Sequence, residues 1–183
     1  MRIVGGELRG RRLLSPKGDQ TRPTTDRNRE SLFNILTHQY REQMQGHVLD
    51  LFAGTGALGL EALSRGAAHC LFIEKARPSA DLIAQHIDMF KLANRAGLMR
   101  MDATQPGRPP GQFDLILADP PYGRKLGERA AVALRKQGWL TNDAVLVLEE
   151  EKASLPGTID GFRQLDVRLF GNSAIGFYQN VTC

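Results

Sequence analysis

Four consecutive residues, Asp119-Pro120-Pro121-Tyr122, place a carboxylate, two rigid backbone units and an aromatic face at the end of the apolar run Phe113-Asp114-Leu115-Ile116-Leu117-Ala118. An apolar run that stops at two prolines reads as a buried strand opening into a stiff loop. The prolines fix φ and remove two donors, so the carbonyls of Asp119 and Pro120 are held still and stay out of a ladder. The set suits a planar amine: two oxygens accept from an exocyclic NH2 group while Tyr122 stacks on the ring that carries it. A proline-rich turn with a partly buried tyrosine has the same composition, so the residues upstream must decide.

Upstream, the short strand His47 to Phe52 runs into Ala53-Gly54-Thr55-Gly56-Ala57-Leu58-Gly59 and then a helix through about Ser64. Gly54, Gly56 and Gly59 fit G-x-G-x-x-G between strand and helix, the spacing that lets a backbone turn tightly and approach a cofactor at a helix N-terminus. The next strand, Leu71-Phe72-Ile73-Glu74, ends in a carboxylate twenty residues after Gly54, where a ribose diol is usually held. A dinucleotide and S-adenosylmethionine (SAM) both satisfy this unit. Asp50, just before the loop, favours SAM, because it would repel a pyrophosphate but pair with the ammonium of a methionine group. Chain size argues the same way, since a dehydrogenase generally needs a second substrate domain. Asp102-Ala103 follows the third short strand, Gly97 to Met101, where a side chain reaches an adenine amine; the alternative for Asp102 is an ordinary turn residue.

These residues need a scaffold. Apolar spacing gives a helix from Arg27 to about Tyr40, a second crossover helix from Pro78 to Leu92 and a third from Leu126 to Gln137. Thr104 to Gln112, with three prolines, is a loop. Ala144 to Leu148 is a buried strand, Glu149-Glu150-Glu151 a solvated edge, and Phe162 to Phe170 with Ala174 to Val181 an antiparallel pair. The order β-α-β-α-β-α-β-α-β-β is that of an α/β doubly wound, mostly parallel sheet whose ligand crevice lies at the C-terminal strand ends. Asp50, Glu74, Asp102 and Asp119 all fall at or near such ends.

The 183 residues suffice for one sizeable core with a small appendage. Residues 1–25 read as a basic hairpin extension, and 26–183 as the catalytic domain. Net charge is +4, but residues 1–29 alone carry eight basic and three acidic side chains. A local excess of this kind is the footprint expected for a polyanion, or else a solvated basic surface. No run approaches the ~18 apolar residues of a membrane span, and the N-terminus lacks the apolar core of a signal peptide. Cys70 and Cys183 form neither a metal spacing nor a disulfide framework, which fits a reducing cytoplasm. His38, His47, His69 and His86 are scattered without ligand spacing and read as structural or solvated, so no metal is expected. With no apolar segment left unassigned, a monomer is expected.

The chain resembles the class I SAM-dependent methyltransferases, and within them the RsmD-type small-subunit ribosomal RNA guanine-N2 methyltransferases. The resemblance rests on Arg2-Ile3-Val4-Gly5-Gly6, Arg9-Gly10-Arg11, Arg22-Pro23-Thr24-Thr25-Asp26-Arg27, Arg29-Glu30-Ser31-Leu32-Phe33-Asn34, Leu51 to Gly66, and Asp119-Pro120-Pro121-Tyr122. The glycine loop and D-P-P-Y occur in many amino methyltransferases; the R-P-T-T-D-R segment is more particular to this family. It implies a seven-stranded methyltransferase sheet, SAM as methyl donor, and as acceptor a guanine in the 16S rRNA of the 30S subunit, guanine 966 in that family. It puts Phe52, Ala53, Gly54 and Gly56 with Asp50, Glu74, Asp102 and Ala103 at SAM, Asp119 to Tyr122 at the target base, and Arg9, Arg11, Arg12, Arg22, Arg27 and Arg29 at the RNA. An adenine-N6 methyltransferase would use the same D-P-P-Y set. An NAD-dependent oxidoreductase would share the glycines but leave that loop unexplained, and a non-catalytic RNA-binding module would use the basic segment alone.

Overall fold

The computed structural model describes residues 1–15 and 26–181; Arg22 and Cys183 lie outside them. Seven strands form one sheet in the order β3-β2-β1-β4-β5-β7-β6. They are β1 (His47–Leu51), β2 (His69–Ile73), β3 (Ala96–Met99), β4 (Phe113–Ala118), β5 (Leu140–Glu151), β6 (Phe162–Phe170) and β7 (Ser173–Asn180). The first five are parallel, and β7 runs antiparallel between β5 and β6. Strand order reverses between β1 and β4, so the crevice of the sheet opens above their C-terminal ends.

The central strands are apolar on both faces because both faces are covered. In β4, Leu115 and Leu117 enter one core cluster while Ile116 and Ala118 enter the other, the two-residue alternation of a pleated strand. The helices α1 (Asp26–Gln39), α3 (Ala57–Ser64) and α4 (Arg77–Met89) bury Phe33, Leu60 and Ile83 in the first cluster. On the opposite face α5 (Leu126–Lys136) packs Ala130 and Leu134 around Trp139. The short α2 (Arg41–Gln45), not anticipated from the sequence, leads into β1.

Two expectations are corrected. No helix joins β3 to β4: Pro106, Pro109 and Pro110 interrupt the connection, and the Trp139 indole N–H closes it by donating to the Gly107 carbonyl at 2.8 Å. The triple glutamate is not a solvated edge. Strand β5 continues through it, and Glu149 and Glu150 are only 7% and 3% exposed, because β7 pairs alongside to Glu151.

Residues 1–15 are stitched to the main body rather than hanging from it. A single antiparallel bridge joins Arg2 to Arg12, the turn between them passing through Gly10 at φ 82°. Ile3 and Leu13 are buried in the first core cluster. The Val4 N–H donates to Glu61 at 2.8 Å, and Glu7 and Leu8 donate to the Ser64 carbonyl and hydroxyl at 2.8 and 2.9 Å. Further on, the Leu14 N–H donates to His86 Nε2 at 2.8 Å while His86 Nδ1 lies 3.0 Å from the Thr55 carbonyl, which defines the neutral tautomer with its proton on Nδ1. Burial lowers the His86 pKa, in keeping with a structural histidine.

Candidate active site

At the C-terminal strand ends lies a cleft of about 810 Å³. One end is built by the loop after β1. Phe52, Gly54 and Gly56 adopt φ of 55°, 56° and 79°, so the chain reverses within five residues and delivers Gly56 as the N-cap of α3. For Phe52 this left-handed conformation costs about 1–2 kcal/mol. Its bulk is nonetheless held there, and Phe52 lines the cleft. Glu74, at the end of β2, accepts from the Gly54 N–H at 2.8 Å and from the Ala76 N–H at 2.7 Å. Each of its oxygens keeps a further lone pair for a ligand hydroxyl.

Asp102 and Ala103 line the same end. Asp102 Oδ1 accepts from the Thr104 N–H and hydroxyl at 2.9 and 2.7 Å, and Lys75 Nζ stands 2.9 Å from Oδ2. The Lys75 and Thr104 hydrogen bonds pull the carboxyl down to about 2, so it is ionised at neutral pH. Asp50 takes a different position. It is 1% exposed, points to the helix side, and accepts from the Gly59 N–H at 2.8 Å, so it anchors α3 from behind the loop. Burial raises its pKa well above the usual carboxylate range; the Gly59 bond opposes this, and the charges of Asp119 and Glu74 add to it. Ala53 donates its N–H to the Ile73 carbonyl at 3.1 Å and ties the loop to β2.

The other end is the loop after β4. Asp119, Pro120, Pro121 and Tyr122 all line the cleft, with Glu149 from β5 and Phe170 and Ser173 from the β6–β7 hairpin around them. Tyr122 is exposed, which leaves its ring open to a stacking partner, and its hydroxyl donates to Glu149 Oε1 at 3.1 Å. The Gly123 N–H donates to Glu150 Oε1 at 2.9 Å, so two glutamates of β5 strap the loop from its far side. Desolvation pushes the Asp119 carboxyl up to about 7, and the charges of Glu149 and then Glu150 contribute. Burial, with the same Glu149 charge and that of Asp119, raises the Tyr122 pKa, so the phenol stays protonated and keeps donating. Glu149 is the site residue that sequence reasoning missed: a run of three acids reads as surface, and only the pairing of β5 with β7 buries it.

Taken together, the cleft carries Glu74, Asp102, Asp119 and Glu149 against Lys75 and Arg124. This balance favours a cationic ligand and disfavours a pyrophosphate. Among the described residues no cluster could hold a metal ion, and no helix is long and apolar enough to cross a membrane.

Of the arginines expected at RNA, Arg9, Arg11, Arg12 and Arg27 are exposed. Arg29 is not. It is 1% exposed, with its guanidinium 3.7 Å from Glu61 and 2.9 Å from Asp26, and it donates to the Arg2 carbonyl. Its position on the inner face of α1 turns it into an internal strut between the N-terminal segment, α1 and α3. Arg22 lies outside the described residues.

The family profile described as Conserved hypothetical protein 95 matches residues 1–179. The Ribosomal RNA small subunit methyltransferase D of Escherichia coli K12 is 39% identical over 155 residues, 82% of this chain and 75% of the relative. The Putative rRNA methyltransferase YlbH of Bacillus subtilis is 30% identical over 98% of both chains. Among solved structures, the Putative methyltransferase yhhF from Escherichia coli superposes with a TM-score of 0.84 at 36% identity, covering 99% of this chain and 98% of its own. By profile, sequence and fold alike, the chain belongs to the Conserved hypothetical protein 95 family, the RsmD-type methyltransferases.

Proposed function

We propose that this chain transfers a methyl group from SAM to the exocyclic N2 amine of a guanine in the 16S rRNA of the 30S subunit. The observation that carries the reading is the single cleft whose two ends hold different chemistry: Glu74 and Asp102 at one, Asp119 to Tyr122 at the other. Its volume of about 810 Å³ lies within the range of small-molecule sites. The names of the relatives supply the rRNA.

The residues present fit SAM. Glu74 has free lone pairs for a ribose diol, the left-handed loop lets backbone approach, and the excess of carboxylates suits a cation. Bound there, SAM supplies an electrophilic sulfonium methyl. Asp50 acts indirectly, by holding the first turn of α3 and hence the loop.

At the acceptor end the residues compensate for a poor nucleophile, since the lone pair of a guanine amine is delocalised into its ring. Hydrogen bonds from its two N–H groups to the Asp119 carboxylate and the Pro120 carbonyl favour the pyramidal, positively charged nitrogen that develops on attack. Tyr122 stacks on the extruded base and sets its angle. The exposed Arg9, Arg11, Arg12 and Arg27 meet RNA phosphates, and Arg124 brings a further cation to the cleft.

The test is transfer of labelled methyl from SAM to 30S particles lacking the modification, with naked 16S rRNA and duplex DNA alongside, followed by nucleoside analysis. N2-methylguanosine on the particles is expected. N6-methyladenine would overturn the base assignment, and no label despite SAM binding would overturn the activity.

A further inference from the structure

Strands β4 and β5 pair in parallel up to Ala118 with Leu148, so Asp119 leaves the sheet beside Glu149, which continues in β5 and pairs with Ile175 of β7. Both line the acceptor end of the cleft. A buried carboxylate is costly unless it has partners. Glu149 accepts from the Tyr122 hydroxyl at 3.1 Å, and the exposed Tyr122 ring lines the cleft. Glu150, the next residue of β5, accepts from the Gly123 N–H at 2.9 Å, so two adjacent residues of the loop are tied to β5.

We propose that Glu149 is a positioning residue for the transfer: it fixes the Tyr122 ring against the acceptor base, and its charge makes Asp119 the acceptor of the proton that the methylated amine releases. This deepens the reading above and rests on it. As the amine nitrogen forms its bond to the methyl carbon, the methyl–sulfur bond of the donor breaks and leaves its electron pair on sulfur, and the positive charge passes to the nitrogen. An N–H bond then breaks, its electron pair stays on nitrogen, and the proton passes to the Asp119 carboxylate and on to water. A lone solvated aspartate is too weak a base for this near neutrality, whereas a neighbouring carboxylate raises its proton affinity. Asp119 is faced by Glu149 and Glu150 from β5, by Asp50 from β1 and by Tyr122 from its own loop, with Arg124 lining the same cleft. Burial is the main cause of Asp119's raised proton affinity, and of the neighbouring charges Glu149 contributes most.

The test is Glu149→Gln, which keeps side-chain size and an oxygen to accept from Tyr122 but removes the charge. Two quantities are read: single-turnover methyl transfer against pH, and the Asp119 titration midpoint in the free protein by carbon-13 carboxyl NMR. Both the acid limb of the rate and the midpoint are expected to move down by about one pH unit. Tyr122→Phe, at an exposed ring, loses the tether and is expected to slow transfer about tenfold with the KM for SAM and the acid limb unchanged. An Asp119 midpoint that stays put in Glu149→Gln overturns the charge role, and wild-type rates in Tyr122→Phe overturn the positioning role. A wild type that transfers no methyl overturns the functional reading instead, and is recognised separately because the NMR midpoint needs no substrate.

Discussion

Asp119 shows how one side chain's setting becomes a pH dependence. Its carboxyl is pushed up to about 7 in the folded chain against 3.8 ordinarily, with burial as the main cause. The amine-accepting role needs the ionised form, so kcat/KM should rise with pH through about 7 and then level off. Stability runs the other way. Between about pH 4 and pH 7 the folded state holds a proton that the unfolded state has lost, so unfolding free energy falls as pH rises across that window. A series of urea unfolding curves checks the sign: stability that increased between those values would contradict it. Replacing the carboxylate outright, Asp119→Ala, should lower turnover by about 10²–10³ while SAM affinity measured by calorimetry stays within about twofold. That D-P-P-Y ends a buried strand and opens a stiff loop at the sheet's C-terminal edge was legible in the sequence. The elevated proton affinity was not, because the burial that mainly causes it, and the charge of Glu149 that adds to it from thirty residues away in the chain, arise only once the sheet forms.

At the scale of elements, the glycine loop and the N-terminal strut carry separate consequences. A Cβ on Gly59 would sit 2.3 Å from Phe72 Cε1 and 2.6 Å from Cys70 Sγ, so this glycine is there to let α3 lie against β2. Gly59→Ala should destabilise by about 1–3 kcal/mol, read as a lowered urea midpoint, whereas a wild-type midpoint would mean that the helix shifts freely. Glu61 is fully buried and receives Arg65 at 2.8 Å, the Val4 N–H at 2.8 Å and Arg29 at 3.7 Å. Glu61→Ala leaves Arg29 as a poorly compensated buried charge, and a loss of about 3–5 kcal/mol is expected. The glycine spacing was readable because conformational need and residue type coincide at those positions. Arg29 was misread as an RNA contact because charge alone does not say which face of a helix turns inward. Its neighbours Leu32, Phe33 and Leu36 already mark the inner face at helical spacing, and that was the available signal. Asp50 was expected at the ligand, and its side chain instead faces the first turn of α3 because alternation along β1 sends it to the helix side of the sheet.

For the molecule as a whole, the proposed function divides the labour: the sheet edge would hold the chemistry, and the exposed Arg9, Arg11, Arg12 and Arg27 would supply the attraction to RNA. If Arg9, Arg11 and Arg12 each neutralise a phosphate, removing all three charges should flatten the log–log salt dependence of RNA binding by about 2 units and leave SAM binding unchanged. An unaltered slope would place the RNA elsewhere. Alternating strands and helices made the doubly wound architecture readable, since each β-α step obeys its own periodicity; the missing helix between β3 and β4 was obscured only in the overall alternation, as the three prolines already marked a loop. The central claim is that one cleft joins a methyl donor to a guanine amine held by Asp119. It is tested most directly by nucleoside analysis of unmodified 30S particles incubated with labelled SAM and either the wild type or Asp119→Ala. The account predicts N2-methylguanosine with the wild type and a drop of about 10²–10³ in its formation with the variant. Equal product from both proteins would contradict it.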